Sequence, residues 1–186
     1  MNPINRSVDN AVRPTPSTPG AAQFRRAMGK FATGVTVLTF EHQGKPAGMT
    51  ANAFMSLSVD PPMILVAARE QSRFAQSVTA GMNFGVCFLD KEQEKLSRHF
   101  GGQPDPALDD PFEAGTDIPL LRSALVRIIA RVEAIYAGGD HLIYTAHVLS
   151  LDESDGPPLL FYTGRYKALL ALDPLHCWHD PIGDAK

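Results

Sequence analysis

Residues 44–74 read "GKPAGMTANAFMSLSVDPPMILVAAREQSRF". The segment passes from strand-like sequence into a polar knot, "TANAFMSLS", then into a second strand and the opening of a helix. The run Met63 to Ala68 follows two prolines, which mark a strand start, and reads as a buried strand. The knot sets Thr50, Asn52, Ser56 and Ser58 inside otherwise apolar sequence. Short hydroxyl and amide groups along one edge are what a planar heterocycle with carbonyl and ring-nitrogen atoms needs. Taken alone, the same groups also fit a solvated strand edge.

The exit of the second strand is equally informative. "REQ" follows it, and a helix opens at Ser72. The first turn of a helix leaves N–H groups unpaired and carries the positive end of the dipole. Arg69 and Arg73 add charge, so the turn has the form of a phosphate cradle. Ser72 is also an ordinary N-cap. Together, the cradle and the knot suit a mononucleotide lying across a barrel wall.

Outward from this segment, Phe24, Ala27, Met28 and Phe31 recur at helical spacing in "AAQFRRAMGKFA". Val35 to Phe40 and the strand after Lys45 form a hairpin around the turn "HQGK". "SRFAQSVTAG" is a short helix with Gly81 past its end. "NFGVCFL" is a strand. "DKEQEKLSRHFGG" is a helix with a capping box at Asp90 and Gln93. Residues 101–123 hold four prolines and read as a long loop, of the kind that is usually functional or disordered. The β-branched load of Val126, Ile128, Ile129, Val132 and Ile135 makes that stretch a strand. "HLIYTAHVLSL" and "PLLFYTG" complete six or seven strands with three short helices. The expectation is a mainly β protein: a closed or partly closed antiparallel barrel with helical inserts. Neither standard nucleotide-binding glycine turn is present.

The chain has 186 residues, enough for one well-buried domain. A formal net charge of −3 gives no footprint for nucleic acid. No apolar run is long enough to span a bilayer, and no membrane association is expected. Residues 1–20, with four prolines, read as a disordered lead-in without a secretory signal. The folded domain spans 21–172, and 173–186 form a tail. Cys87 sits in an apolar strand and reads as an inert buried thiol. Two distant cysteines make no disulfide framework, which fits a cytoplasmic location. "DPLHCWHD" offers His176, Cys177, His179 and Asp180, residue types that zinc uses. One short terminal segment rarely supplies a full ligand set, so a tail is the reading and no metal site is expected.

The blocks "FATGVTVLT", "GMTANAFMSLSVDPPMILVAA", "KLSRHF" and "GGDHLIYTAHV" resemble the short-chain flavin reductase family. These are the reductase components of two-component flavin monooxygenases. The resemblance runs from about Phe24 to Tyr166. It implies an FMN-binding split β-barrel, a homodimer, and hydride transfer from C4 of NADH or NADPH to N5 of FMN or FAD. Reduced flavin then passes to a partner monooxygenase. Thr50, Ala51 and Asn52 would line the isoalloxazine, with Ser56 and Ser58 nearby. Ala67, Ala68 and Arg69 would approach the flavin. Ser72, Arg73 and Phe74 would hold the phosphate end. Phe100 would close over the ribityl or adenine side. His141 would sit beside the nicotinamide as the candidate catalytic group, and Tyr166 would stand near the same pocket. Two departures stand out. Ala53 replaces a frequent serine, and Ala146 with His147 replace a common glycine and glutamate. A non-catalytic flavin carrier or sensor of the same barrel is the other reading these departures leave open.

Overall fold

The computed structural model describes residues 18–169. Helix α1 (Ala21–Met28) precedes the two-residue strand β1 (Thr33–Gly34) and the hairpin of β2 (Thr36–His42) and β3 (Lys45–Ala51). Then come β4 (Phe54–Val59), β5 (Pro62–Arg69), the short helix α2 (Arg73–Ser77) and β6 (Asn83–Phe88). A 3-10 turn, Lys91–Gln93, leads into α3 (Glu94–Phe100). Strands β7 (Val126–Gly138) and β8 (His141–Glu153) form a long hairpin, followed by β9 (Leu160–Tyr162) and β10 (Arg165–Lys167).

Seven strands form one antiparallel sheet in the order β3-β2-β6-β7-β8-β5-β4, and β1-β9-β10 form a second. The mainly β, antiparallel class expected from sequence is what the chain adopts. The large sheet has β3 and β4 as its two edges, and no ladder joins them among the described residues. The sheet is therefore open where a fully closed barrel would pair its ends. The stretch Ala51–Phe54 carries the chain from one edge strand to the other, so the polar knot sits on this seam. Part of the knot is itself strand: Phe54–Val59 pairs with β5 through a register shift between Ser56 and Ser58.

Two apolar clusters flank the central strands. Every residue from Thr36 to Phe40 is buried, as is every residue from Phe84 to Cys87, so β2 and β6 contribute to both. One cluster gathers Leu38, Phe40, Val66, Phe74, Phe84, Val86 and Tyr144. The other joins Val37, Cys87, Leu89, Phe100, Phe112, Leu121 and Leu159. The long loop after α3 belongs to this second cluster. Leu120 and Leu121 are buried, Thr39 donates to the Pro119 carbonyl at 2.5 Å, and Leu121 N–H donates to Cys87 Sγ at 3.3 Å. Gly85 permits this packing, because a Cβ there would stand 2.8 Å from the Pro119 oxygen. The loop covers this core with Phe112 and residues 119–121, while most of its remaining residues are exposed.

The local signals were sound. Ser72 caps α2 by accepting from Ala75 N–H at 3.1 Å, and the Asp90–Gln93 capping box forms in both directions. Helix α2 ends at Ser77, short of Gly81, because Val78 turns extended and enters the core. Helix α1 has no buried residue: Phe24 and Met28 are exposed, and the helix ends at Met28, before Phe31, which is exposed too. Among the described residues no helix is long and apolar enough to cross a membrane. The lead-in up to residue 17, residues 170–172, the tail from 173 and the His176–Cys177–His179 cluster lie outside the described residues.

Candidate functional site

The seam between the two edge strands opens into a cleft with two adjoining lobes, each of about 440 Å³. Thr50, Ala51, Asn52, Arg69 and Gly101 line both. The first lobe adds Ala67, Ala68, Ser72, Phe100 and His141. The second adds Ser97, Phe161 and Tyr166. The topology explains the convergence. The end of β3 and the start of β4 supply the knot. The end of β5 supplies Ala67 to Arg69, and the antiparallel register sets Arg69 directly across from His141 at the start of β8. The C-terminal end of α3 closes the near side with Phe100 and Gly101.

Thr50 donates its hydroxyl proton to the Ser97 carbonyl at 2.7 Å, so toward the cleft it offers lone pairs. Ser72 accepts from Ala75 N–H, which leaves its own O–H free to donate into the cleft. Asn52 is exposed at the seam with its amide unengaged by other described residues. His141 Nδ1 lies 2.8 Å from Asp140 Oδ1. A carboxylate only accepts, so His141 donates from Nδ1–H to Asp140 and its Nε2 is left for other partners. Asp140 is held below the ordinary carboxylate range, first by this hydrogen bond and then by the imidazole's charge, with Arg69 contributing. Phe100 is largely buried, edge-on to His99 and tilted against Phe112. Its face beneath the cleft rests against Gly48, where a Cβ would stand 2.7 Å from the ring.

Four expected residues stand elsewhere. Phe74 is fully buried, with edge-on contacts to Phe40, Phe84 and Tyr144 at 5.0 to 5.4 Å between centroids. Its side chain belongs to the core and not to a phosphate site, because the first turn of α2 points that position inward. Arg73, its neighbour, is exposed and outside the cleft lining. Ser56 and Ser58 line a different, mostly apolar cavity with Val59, Met63 and Val148. The chain has by then passed the seam and runs away from it along β4. Ala53 lines the first lobe. The other departures from the resemblance lie off the cleft. Ala146 is buried in the core, and His147 points to the opposite face, 3.4 Å from Glu133. Among the described residues there is no cluster of three or more metal-ligating side chains.

Ser97, Gly101 and Gly48 were not singled out from sequence. A serine on the inward face of a helix and a glycine inside a strand were the available signals for Ser97 and Gly48.

The flavin reductase like domain family matches residues 28–170. An NADH-dependent flavin reductase of a Rhodococcus species is 36% identical over 157 residues, covering 83% of this chain and 89% of that protein. The reductase component of 4-hydroxyphenylacetate 3-monooxygenase from Thermus thermophilus is 34% identical, covering 79% of this chain and 95% of that protein. Among solved structures, the flavin reductase PheA2 in its native state superimposes with a TM-score of 0.74 at 38% identity, covering 82% of this chain and 99% of its own. The seam, the cleft and these likenesses agree, and the chain belongs to the flavin reductase like domain family.

Proposed function

We propose that the chain is an NAD(P)H:flavin oxidoreductase that supplies reduced flavin to a separate flavin-dependent monooxygenase. The observation that carries this is the convergence of Thr50, Asn52, Arg69, Ser72, Phe100 and His141 on one cleft. Relatives named as monooxygenase reductase components support the partner. Relatives named NADH-dependent favour NADH over NADPH as donor.

The residues fit a phosphorylated flavin. Thr50 lone pairs and the Asn52 amide supply an edge that reads carbonyl and N–H groups. Arg69 and the free Ser72 proton supply charge and a donor at the α2 end for FMN or FAD phosphate. Ala67 and Ala68 lack bulk, so a planar ring can approach the β5 backbone. Phe100 gives one apolar wall. Bound flavin supplies the hydride acceptor and the nicotinamide the donor. The protein's part is to hold two rings together and exclude water, with no side-chain nucleophile. His141 would stand beside the nicotinamide, its Nδ1 hydrogen-bonded to Asp140. A few hydrogen bonds in an open cleft make binding exchangeable, as a supplier of diffusible flavin requires.

An FMN-type split barrel fits the seam between β3 and β4. A homodimer is supported by apolar side chains left exposed among the described residues: Met55, Leu57 and Val59 on the edge strand β4, Leu149 and Leu151 on β8, Phe24 and Met28 on α1, and Phe31 just after it. A cytoplasmic location goes with the need for reduced nicotinamide. The test is NADH oxidation with free FMN or FAD present and absent. Turnover that depends on added flavin is the predicted result, and no turnover with any flavin contradicts the reading.

A further inference from the structure

Ser97 joins Thr50 and Tyr166 through two separate groups, its carbonyl and its hydroxyl. Thr50 Oγ1 donates to the Ser97 carbonyl at 2.7 Å. The Ser97 hydroxyl lies 2.8 Å from the Tyr166 hydroxyl. Ser97 is fully buried, and Tyr166 is the only partner of its hydroxyl among the described residues. A buried O–H left without an acceptor is costly, so Ser97 donates and Tyr166 accepts. The phenol proton of Tyr166 is then free. Tyr166 is only partly buried and lines the second lobe together with Thr50. Its ring is held by Phe161 on the paired strand, 5.4 Å between centroids, and by the Arg98 guanidinium 4.9 Å over its face. Donation from Ser97 also polarises the phenol and strengthens it as a donor.

We propose that this lobe reads an amide edge: Tyr166 donates to a C=O group, Thr50 accepts from an N–H group, and Ser97 is the positioning residue that assigns both roles. Two ligands of the proposed reaction carry that edge, the pyrimidine ring of the flavin and the carboxamide of the nicotinamide. The proposal rests on the flavin reductase reading.

The experiment uses the full chain and two separate arms. FMN affinity is measured by fluorescence quenching without nicotinamide, with the visible spectrum of bound FMN recorded. NADH KM is measured at saturating FMN. Tyr166→Phe is expected to weaken one arm by about three- to tenfold, the typical effect of one hydrogen bond, while the other moves less than about twofold. Loss in the FMN arm, with a shifted visible band, assigns the edge to the flavin; loss in the NADH arm assigns it to the carboxamide. Ser97→Ala is expected to weaken the same arm, and the double variant to be no weaker than Tyr166→Phe, because Ser97 acts through Tyr166. Thr50→Val loses affinity in that arm and Thr50→Ser, which keeps the hydroxyl, restores it. Unchanged affinity in both arms for Tyr166→Phe, or additive losses with Ser97→Ala, overturns the proposal. A wild-type chain that neither quenches with FMN nor oxidises NADH fails the parent reading, and is seen before any variant is compared.

Discussion

Phe100 lies directly against Gly48, so close that a Cβ on Gly48 would stand 2.7 Å from Cδ1 and 2.8 Å from Cε1 of the ring. The glycine is in the middle of β3, one residue before Met49 and two before Thr50. It lets α3 settle onto the strand and fixes the wall of the cleft. Gly48→Ala should push the ring toward the cleft, at a cost in the usual overpacking range of about 1–3 kcal/mol. Thermal unfolding should fall and flavin affinity should fall with it. An alanine variant with unchanged quenching by FMN would mean that Phe100 does not bound the flavin site.

Arg69 offers the positive charge at the α2 end of the cleft, beside the free Ser72 proton. Arg69→Ala should weaken FMN by about tenfold or more, the range for a hydrogen bond to a charged group, and leave riboflavin nearly unchanged. The wild-type preference for FMN over riboflavin should shrink as salt rises. Equal losses for FMN and riboflavin would show that Arg69 does not read phosphate.

Legibility from sequence followed the range of the interaction. The Ser72 cap, the Asp90–Gln93 box and the β2–β3 turn are set by neighbours within four residues, and all formed as read. The strand β4 was hidden because Ser56 and Ser58 interrupt its apolar pattern, and a bulge there shifts the register. The core position of the Phe74 side chain was hidden for a different reason. That residue follows the cap and the arginine, but a helix turns successive residues by about 100°, so only part of that turn faces the cleft. Ser97 acts on Thr50 and Tyr166, which are 47 and 69 residues away. Only the fold brings those groups together.

The Asp140–His141 pair predicts a pH dependence with a definite sign. The Asp140 carboxyl is held below its ordinary value of 3.8 by the His141 hydrogen bond and charge. A carboxyl depressed in the folded chain stabilises it above that ordinary value, and the contribution is lost as pH falls through the lowered one. The difference in unfolding temperature between wild type and Asp140→Asn should therefore be present near neutrality and vanish in acid. Both residues are solvent-accessible, so the effect is small and salt-sensitive. A difference that grows below pH 3.8 would contradict the assignment.

Cys87 should be chemically silent in the native protein. Burial pushes its thiol from 9.0 up to about 11, against smaller opposing effects of the Leu121 N–H and the Thr39 hydroxyl. Iodoacetamide at pH 8 should leave the Cys87 peptide unmodified until denaturant is added, as peptide mapping would report. The sign in alkali follows from the same shift. The unfolded chain ionises its thiol first, so stability should fall as pH rises from 9.0 toward about 11. Cys87→Ala should flatten that limb. Rapid native alkylation of Cys87 would mean that the loop Leu120–Leu121 opens far more often than its burial implies.

The most direct test of the account is steady-state oxidation of NADH and NADPH by the purified full chain, with FMN, FAD, or no flavin added. The account predicts turnover that rises with added flavin and saturates, with NADH the better donor, and loss of flavin dependence on FMN phosphate in Arg69→Ala. Tight flavin binding without oxidation of either nicotinamide would contradict it, and would make the cleft a carrier site.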